Sequence, residues 1–480
     1  MPFLIDDGGD VFTPGDAPHG LCVAFQDDAL VEEPVWERLD DPAGFRIGSA
    51  WSISRGRQSE LDKTGTGTAQ VTFLDRYGIM DPTNESGPFW TGGETHVDPM
   101  KQSAIALMNP VTGDWSTLFR GHIADMTHSL DMWTDTRGLD TVTMELVDAF
   151  DLFNAVELTP GDHGDSTTFS DFANVYYQGN PPNYTGQPPT FVHVDDRIMQ
   201  ILDDAGWPNS GKRAGLRNIF SGNVSMQGQV YSRRDSALQA LFDAADAEFP
   251  GVANIFMSKD GVVTFHGRFA RFFPERPGYG INSWNVGSLA EAELDDTMAP
   301  IAGMEFRRSK NDIINAALIS PNRASEKQIQ NLLYKDTTSI GRYGWRSISF
   351  ENLLLNKGHD DLAADTTAPE ECAKFAQYYV DNYAYPKSRV SSITFRPRGI
   401  NQVGAEPLWE LMCGVEIGDV VHLTTAHPNG GGFDEDFFVE GVRYDAKPAR
   451  TDMLDITLSI DVSPRSFYDS NPFGEWDDSE

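Results

Sequence analysis

Few residues in this chain have the types and spacing that chemistry needs. The densest set lies between Ser54 and Thr68, where Arg55, Arg57, Glu60, Asp62 and Lys63 follow one another closely. Such a set forms ion pairs, and it holds no nucleophile with a base beside it. Asp6, Asp7 and Asp10 sit in a Gly-rich run, but the ligand spacing and closing Glu of a calcium loop are missing. Asp162, His163 and Asp165 offer one histidine and no second ligand cluster, too little for a metal site. A hydrolase centre around His266 or Glu248 would need a paired geometry that their surroundings in sequence do not give. H-E-x-x-H, G-x-S-x-G, a P-loop and a G-x-G-x-x-G opening a helix are all absent. The 10 histidines are scattered singly, and with 72 acidic residues a carboxylate pair is expected by chance, so no glycosidase pair is read. No catalytic residue, metal or cofactor is expected.

The elements that must hold these residues are mostly strands. Trp51-Ser52-Ile53 and Ala69 to Leu74 alternate apolar and polar, as strands on one sheet face do, and the Gly-rich charged stretch connects them. Ser103 to Met108 and Trp115 to Ile123 flank an Asn-Pro-Val-Thr-Gly-Asp turn, a hairpin pattern, and Asp140 to Leu146 alternates again. Residues 191 to 275 change character. Helices are predicted over Asp195–Gly206 and Asp235–Glu248, followed by a hairpin with Asp260-Gly261 in its turn. Later strands are read at Met304–Arg307, Ala316–Ile319, Tyr343–Ile348, Val390–Phe395, Ile417–Leu423, Phe437–Val442 and Leu454–Ile460, with one long helix over Ala368–Asn382. The fold class is α+β and β-rich.

At 480 residues the chain is too long for one compact core, and 40% hydrophobic with 23% charged residues suits a folded protein. No apolar run approaches the roughly 20 residues of a membrane span, and the N-terminus lacks the basic-then-apolar order of a secretory signal. Three distant cysteines, Cys22, Cys372 and Cys413, argue against a disulfide framework and for small buried apolar residues. The net charge of -35 should repel nucleic acid, because phosphate binding needs Lys and Arg.

Nine blocks in one order resemble the minor tail proteins that form the tail-tip hub of long-tailed bacteriophages, especially siphophages of actinobacterial hosts. They are RGRQSELDKTGTGTAQVTFLD (55–75), DPTN (81–84), LFRGHIADM (118–126), VTMELVDAFDLF (142–153), RIMQILDDAGWP (197–208), LQALFDAADAEFPG with KDGVVTFHGR (238–268), RYGWRSI (342–348), YPKSRVSSITFRPR (385–398), and EIGDVVHL with FFVEGVRYD (416–445). The resemblance covers about residues 45 to 465 and extends in plan to the hub proteins of contractile tails. It implies two tube-like β-barrel-type domains with an inserted or peripheral α+β module.

On that resemblance the division is an N-terminal arm and strand (1–44), a first tube-like β domain (45–160), a linker (161–190), a peripheral α+β module (191–290), a second tube-like β domain with one long helix (291–465) and an acidic tail (466–480). The implied role is structural: a virion protein at the tail tip, made in the host cytoplasm, that continues the tail tube as a homotrimeric ring. Implied partners are distal tail and tail tube proteins, the tape measure protein and other minor tail or receptor-binding proteins. Genomic DNA would pass the lumen without specific binding, and carboxylates lining it would repel phosphates. The chain ends soon after its last β region, which argues against a fibre or hydrolase extension. Arg55, Arg57, Glu60 and Lys63 are the candidate subunit contacts, with intramolecular salt links or plain solvation as the competing readings. Two rival functions remain, a host wall-degrading glycosidase or peptidase and a carbohydrate-binding tail adhesin.

Overall fold

The computed structural model describes residues 19–39, 45–46, 50–75, 78–129, 141–158, 175–176, 192–208, 211–226, 229–230, 235–276, 278–285, 301–321, 332–355, 367–387, 389–397, 405–426, 432–448, 454–469 and 472. The calcium-like trio at 6–10 and the metal-like trio at 162–165 lie outside them. The fold is β-rich, with seven α-helices among the described residues.

Alternation builds its main sheet. In Thr141–Val147 the residues Val142, Met144 and Leu146 turn inward, and in Leu454–Pro464 the inward set is Ile456, Leu458, Ile460 and Val462. Fourteen strands join in one sheet. Its path runs Glu37–Arg38, His19–Ala24, Gln102–Met108, Trp115–Ser129, Thr141–Val147, Gly65–Asp75, Trp51–Gly56, Gly432–Pro448, Leu454–Pro464, Arg389–Phe395 and Ile301–Arg307. The early and late β regions are therefore continuous. Trp51–Gly56 pairs antiparallel with Gly432–Pro448, setting Ile53 opposite Tyr444 and Ser52 opposite Asp445. Val420–Ala426 pairs beside Gly432–Pro448 and carries Ser283–Asn285 in parallel.

Between these strands sits an α+β module. Val194–Asp204 buries Ile198, Ile201 and Leu202, and Ala237–Glu248 starts at Ser236, whose hydroxyl accepts from the Gln239 amide at 3.2 Å. Both pack near a four-stranded mixed sheet of Arg213–Ala214, Arg217–Ile219, Val263–His266 and Asn254–Met257. A three-stranded mixed sheet, Leu332–Lys335, Ala316–Pro321 and Ser347–Leu353, lies against the helix Thr367–Tyr383.

Several elements differ from the sequence reading. The strands flanking the charged connection run on to Gly56 and begin at Gly65, so the connection is shorter than Ser54–Thr68. Tyr343 ends a helix, Thr337–Tyr343, capped by the Asp336 carboxylate, and the strand starts only at Ser347. Ile417 and Gly418 belong to a turn ahead of Val420–Ala426. Arg465–Tyr468 is a 3-10 turn with Phe467 and Tyr468 buried, so these two join the core and not the acidic tail. Cys22, Cys372 and Cys413 are free and buried. Among the described residues no helix is long and apolar enough to cross a membrane.

Candidate functional site: an open polar face over a buried charge network

The charged connection lies where the early sheet, the late sheet and the module meet. Gly56 has φ +91°, and a Cβ there would stand 2.4 Å from the Glu440 carbonyl, so only glycine fits this approach of two strands. The next residue, Arg57, is buried. Its amide donates to the Glu440 carbonyl at 2.9 Å, its Nε to Glu440 Oε2 at 2.8 Å, and its Nη1 to the Asp62 carbonyl at 3.1 Å. Arg271 of the module reaches the same carboxylate from the other side, at 2.7 and 2.9 Å, and Ser463 adds a hydroxyl. Burial by itself would raise the Glu440 pKa, but Arg271 and Arg57 more than offset it and bring it down to about 2. The carboxylate thus stays charged inside the fold and ties three segments together.

The other candidates join neighbouring links. Glu60 is buried and accepts from Tyr383 Oη at 2.6 Å and Arg389 Nη1 at 3.0 Å. Arg55 is buried and donates to Glu416 Oε1 at 2.7 Å, while Glu416 Oε2 accepts the Lys259 amide at 2.7 Å. Lys63 alone is open, with a side chain 54% exposed, 3.1 Å from Asp246. Arg55, Arg57 and Glu60 each make an ion pair within the chain. Glu440, Arg271, Glu416 and Lys259 were missed. One signal was present in the sequence: Glu440 interrupts the apolar run Phe437-Phe438-Val439, and a carboxylate in such a run needs a partner.

Three carboxyls beside the network are shifted the other way. Burial lifts Asp148 to about 7, opposed by hydrogen bonds from the Gly67 and Phe150 amides and by nearby Arg55. Burial likewise lifts Asp419 and Asp461 to about 6 each. None stands in a catalytic arrangement. Glu248 accepts two backbone amides, Asn223 and Val224, at 3.0 Å each, and lies 3.3 Å from Arg268 Nε. Among the described residues no three His, Cys, Asp or Glu side chains gather as a metal site.

The other face of the main sheet turns outward where the two β regions join. Register sets out its rows. One runs Asp125, Glu145, Gln70, Ser52, Asp445, Thr457 across six strands, and the next runs Thr68, Ser54, Arg443, Ser459, Thr394. Thr143 and Thr72 continue the pattern, with their hydroxyls 3.2 Å apart. The central part of these rows, from Glu145 and Gln70 through Ser52 and Ser54 to Arg443 and Asp445, lines an open groove of about 410 Å³. Arg443 pairs with Asp461, and Arg396 grips Asp455 at 2.9 and 2.6 Å, whereas Asp125, Glu145 and Asp445 are exposed. The surface is therefore hydroxyl-rich, with a surplus of negative charge. Ile301–Arg307 ends the sheet path, has one sheet neighbour among the described strands, and exposes Phe306 by 54%.

No family model and no curated protein matches the chain. Its structural neighbours are prophage tail proteins and baseplate-hub-like proteins. A 43 kDa tail protein of prophage MuSo2 from Shewanella oneidensis is 12% identical, with a TM-score of 0.47 over 94% of this chain and 99% of that one. A tail protein from Neisseria meningitidis is also 12% identical, with a TM-score of 0.49 over 94% and 98%. An Escherichia coli type VI secretion component, described as structurally similar to bacteriophage T4 tail proteins, is 7% identical, with a TM-score of 0.41 over 87% and 73%.

Proposed function

We propose that the chain is a structural subunit of the hub at a phage tail tip. Several copies, three on the sequence resemblance, form a ring that continues the tail tube and anchors host-facing tail proteins. The polar face across the joined β regions is the observation that carries this reading. It is a broad sheet surface covered by Ser, Thr and Gln with exposed Asp125, Glu145 and Asp445. A lumen with that lining would let DNA slide, since its exposed carboxylates repel phosphates and Arg443 and Arg396 are paired with Asp461 and Asp455. Ring closure would use the strand Ile301–Arg307, whose outer backbone groups and exposed Phe306 suit an edge contact with a neighbouring copy.

Antibody labelling of intact particles, viewed by electron microscopy, tests the assignment. Label at the tail tip is expected. Label on no particle, with the protein free in the lysate, would overturn the structural role. A density map of the ring tests the lumen: a neutral or basic lining, with Glu145 and Asp445 facing away, would sink that part.

A further inference from the structure

The chain carries 72 acidic residues against 37 basic, but three short segments reverse that balance. Residues 307–312, 335–346 and 385–389 hold eight Lys and Arg against two Asp, Asp312 and Asp336. The fold joins them. The Ile314 amide donates to the Tyr383 carbonyl at 2.9 Å. Asn315 donates from Nδ2 to the Gly344 carbonyl at 2.8 Å and accepts the Arg346 amide at 2.8 Å. The Tyr343 ring meets the Tyr385 ring edge-on, with centroids 6.3 Å apart.

On this island Arg308, Lys310, Lys335, Arg342, Arg346 and Lys387 are exposed, and none makes an ion pair with a described residue. The acidic side chains nearby are already engaged. Asp336 accepts the Thr338 and Ser339 amides at 2.8 and 2.9 Å and takes the Tyr385 hydroxyl, with Arg342 in its neighbourhood. Asp312 lies 3.5 Å from Arg307, and Asp381 accepts from Gln377 Nε2 at 3.2 Å. Trp345 is 53% exposed and Tyr385 37%, so the island is aromatic as well as basic.

Such a surface attracts acidic matter, but the rest of the chain limits its size. A nucleic-acid duplex or an anionic bilayer would also face the remainder of a chain with net charge -35 and be repelled by it. A short acidic segment can touch the island alone. The chain has one at hand. Residues 473–480, FGEWDDSE, lie outside the described residues and hold four carboxylate side chains, two aromatic rings and no Lys or Arg. They follow a turn fixed at the border of the island. Lys387 and Arg389 lie over the Phe467 ring, 4.9 and 4.5 Å from its centroid, and Asn382 Nδ2 donates to the Phe467 carbonyl at 3.1 Å. Extended, the chain from Asp469 to Trp476 spans roughly 25 Å, enough to carry Trp476 from that border onto the island. A tether this short gives a local concentration of about millimolar, so ion pairs that are weak one by one suffice.

We propose that residues 473–480 dock on this island of the same chain, with their carboxylates on its exposed Lys and Arg and Trp476 against Trp345 and Tyr385. The proposal stands apart from the ring reading, since it needs only the single chain. Zero-length carbodiimide cross-linking of the full chain, read by peptide mass spectrometry, tests it, because the reagent couples a carboxylate to an ammonium in direct contact. Links from Glu475, Asp477, Asp478 or Glu480 to Lys310, Lys335 or Lys387 are expected in the monomer band. Their yield should fall at least about threefold in the double variant Arg342→Glu, Arg346→Glu, and also in about 0.5 M salt, which screens exposed pairs. Both arginines are exposed and unpaired, so the variant should melt within about 2 °C of the parent, which separates lost docking from lost folding. No link between these segments, links found only between two copies, or a yield indifferent to the charge reversal overturns the proposal. Saturable binding of phosphatidylglycerol vesicles or a single-stranded oligonucleotide by a chain whose residues 473–480 stay unlinked overturns it too.

Discussion

The buried network around Glu440 and the open face around Glu145 use the same side chains to opposite ends. At Glu440, carboxylate and guanidinium are out of water, and each survives there only because the other is in place. At Glu145 the carboxylate is hydrated, and Gln70 opposite makes only a long contact of 3.4 Å. A charge removed from the first region leaves its partners unmatched in a low-dielectric interior. A charge removed from the second leaves water. The comparison locates stability in one region and surface character in the other.

The largest effect should come from breaking the buried side. Glu440→Gln leaves Arg57 and Arg271 facing a neutral amide and is expected to cost about 3–5 kcal/mol, read from urea unfolding. An intermediate effect should come with pH. Asp148, Asp419 and Asp461 are raised carboxyls, so the folded chain holds protons that the unfolded chain has released. Stability is therefore fullest near pH 4 and falls as pH rises through about 6 to 7. Glu440, with its lowered pKa, works oppositely, but only below about pH 4.5. The melting temperature should be higher at pH 5 than at pH 8, and Asp148→Asn should narrow that gap. An equal gap in parent and variant would assign it to the general repulsion of a chain with net charge -35. The smallest effect belongs to the exposed end of the connection. Lys63→Ala should cost less than about 1 kcal/mol, since the lysine end of its pair with Asp246 is open to solvent. A loss as large as that of Glu440→Gln would erase the contrast between the two regions.

Local pattern explains what was legible. Leu454–Ile460, Val142–Leu146 and the hairpin around Asp260-Gly261 have periods or turn residues that fix their structure without help from elsewhere. The helix Ala405–Gly414 was not read. Leu408, Trp409, Leu411, Met412 and Cys413 are buried and Glu406, Pro407 and Glu410 exposed, so a helical period is present, but over only 10 residues with a proline near the start the signal is weak. The charge network was only half legible. Its residues stood out as charged, but their partners come from far along the chain: Arg271 is 169 residues from Glu440. His266 was weighed only as part of a hydrolase centre with Glu248, because its packing between Phe220 and Phe256 is a property of the folded module and not of neighbours in sequence.

The pairing of Trp51–Gly56 with Gly432–Pro448 has a consequence for biosynthesis. Arg57 and Glu440 are separated by 383 residues. A ribosome moving at about 5–20 residues per second needs roughly 20–80 s to cover that distance. Throughout that interval the strand Trp51–Gly56 is without its neighbour on one side, and Arg57 is without the carboxylate it needs. The early sheet must wait, half-finished, for nearly the whole polypeptide to emerge, with an open strand edge. Its abundant acidic side chains give nascent copies a like charge that keeps them apart during that wait.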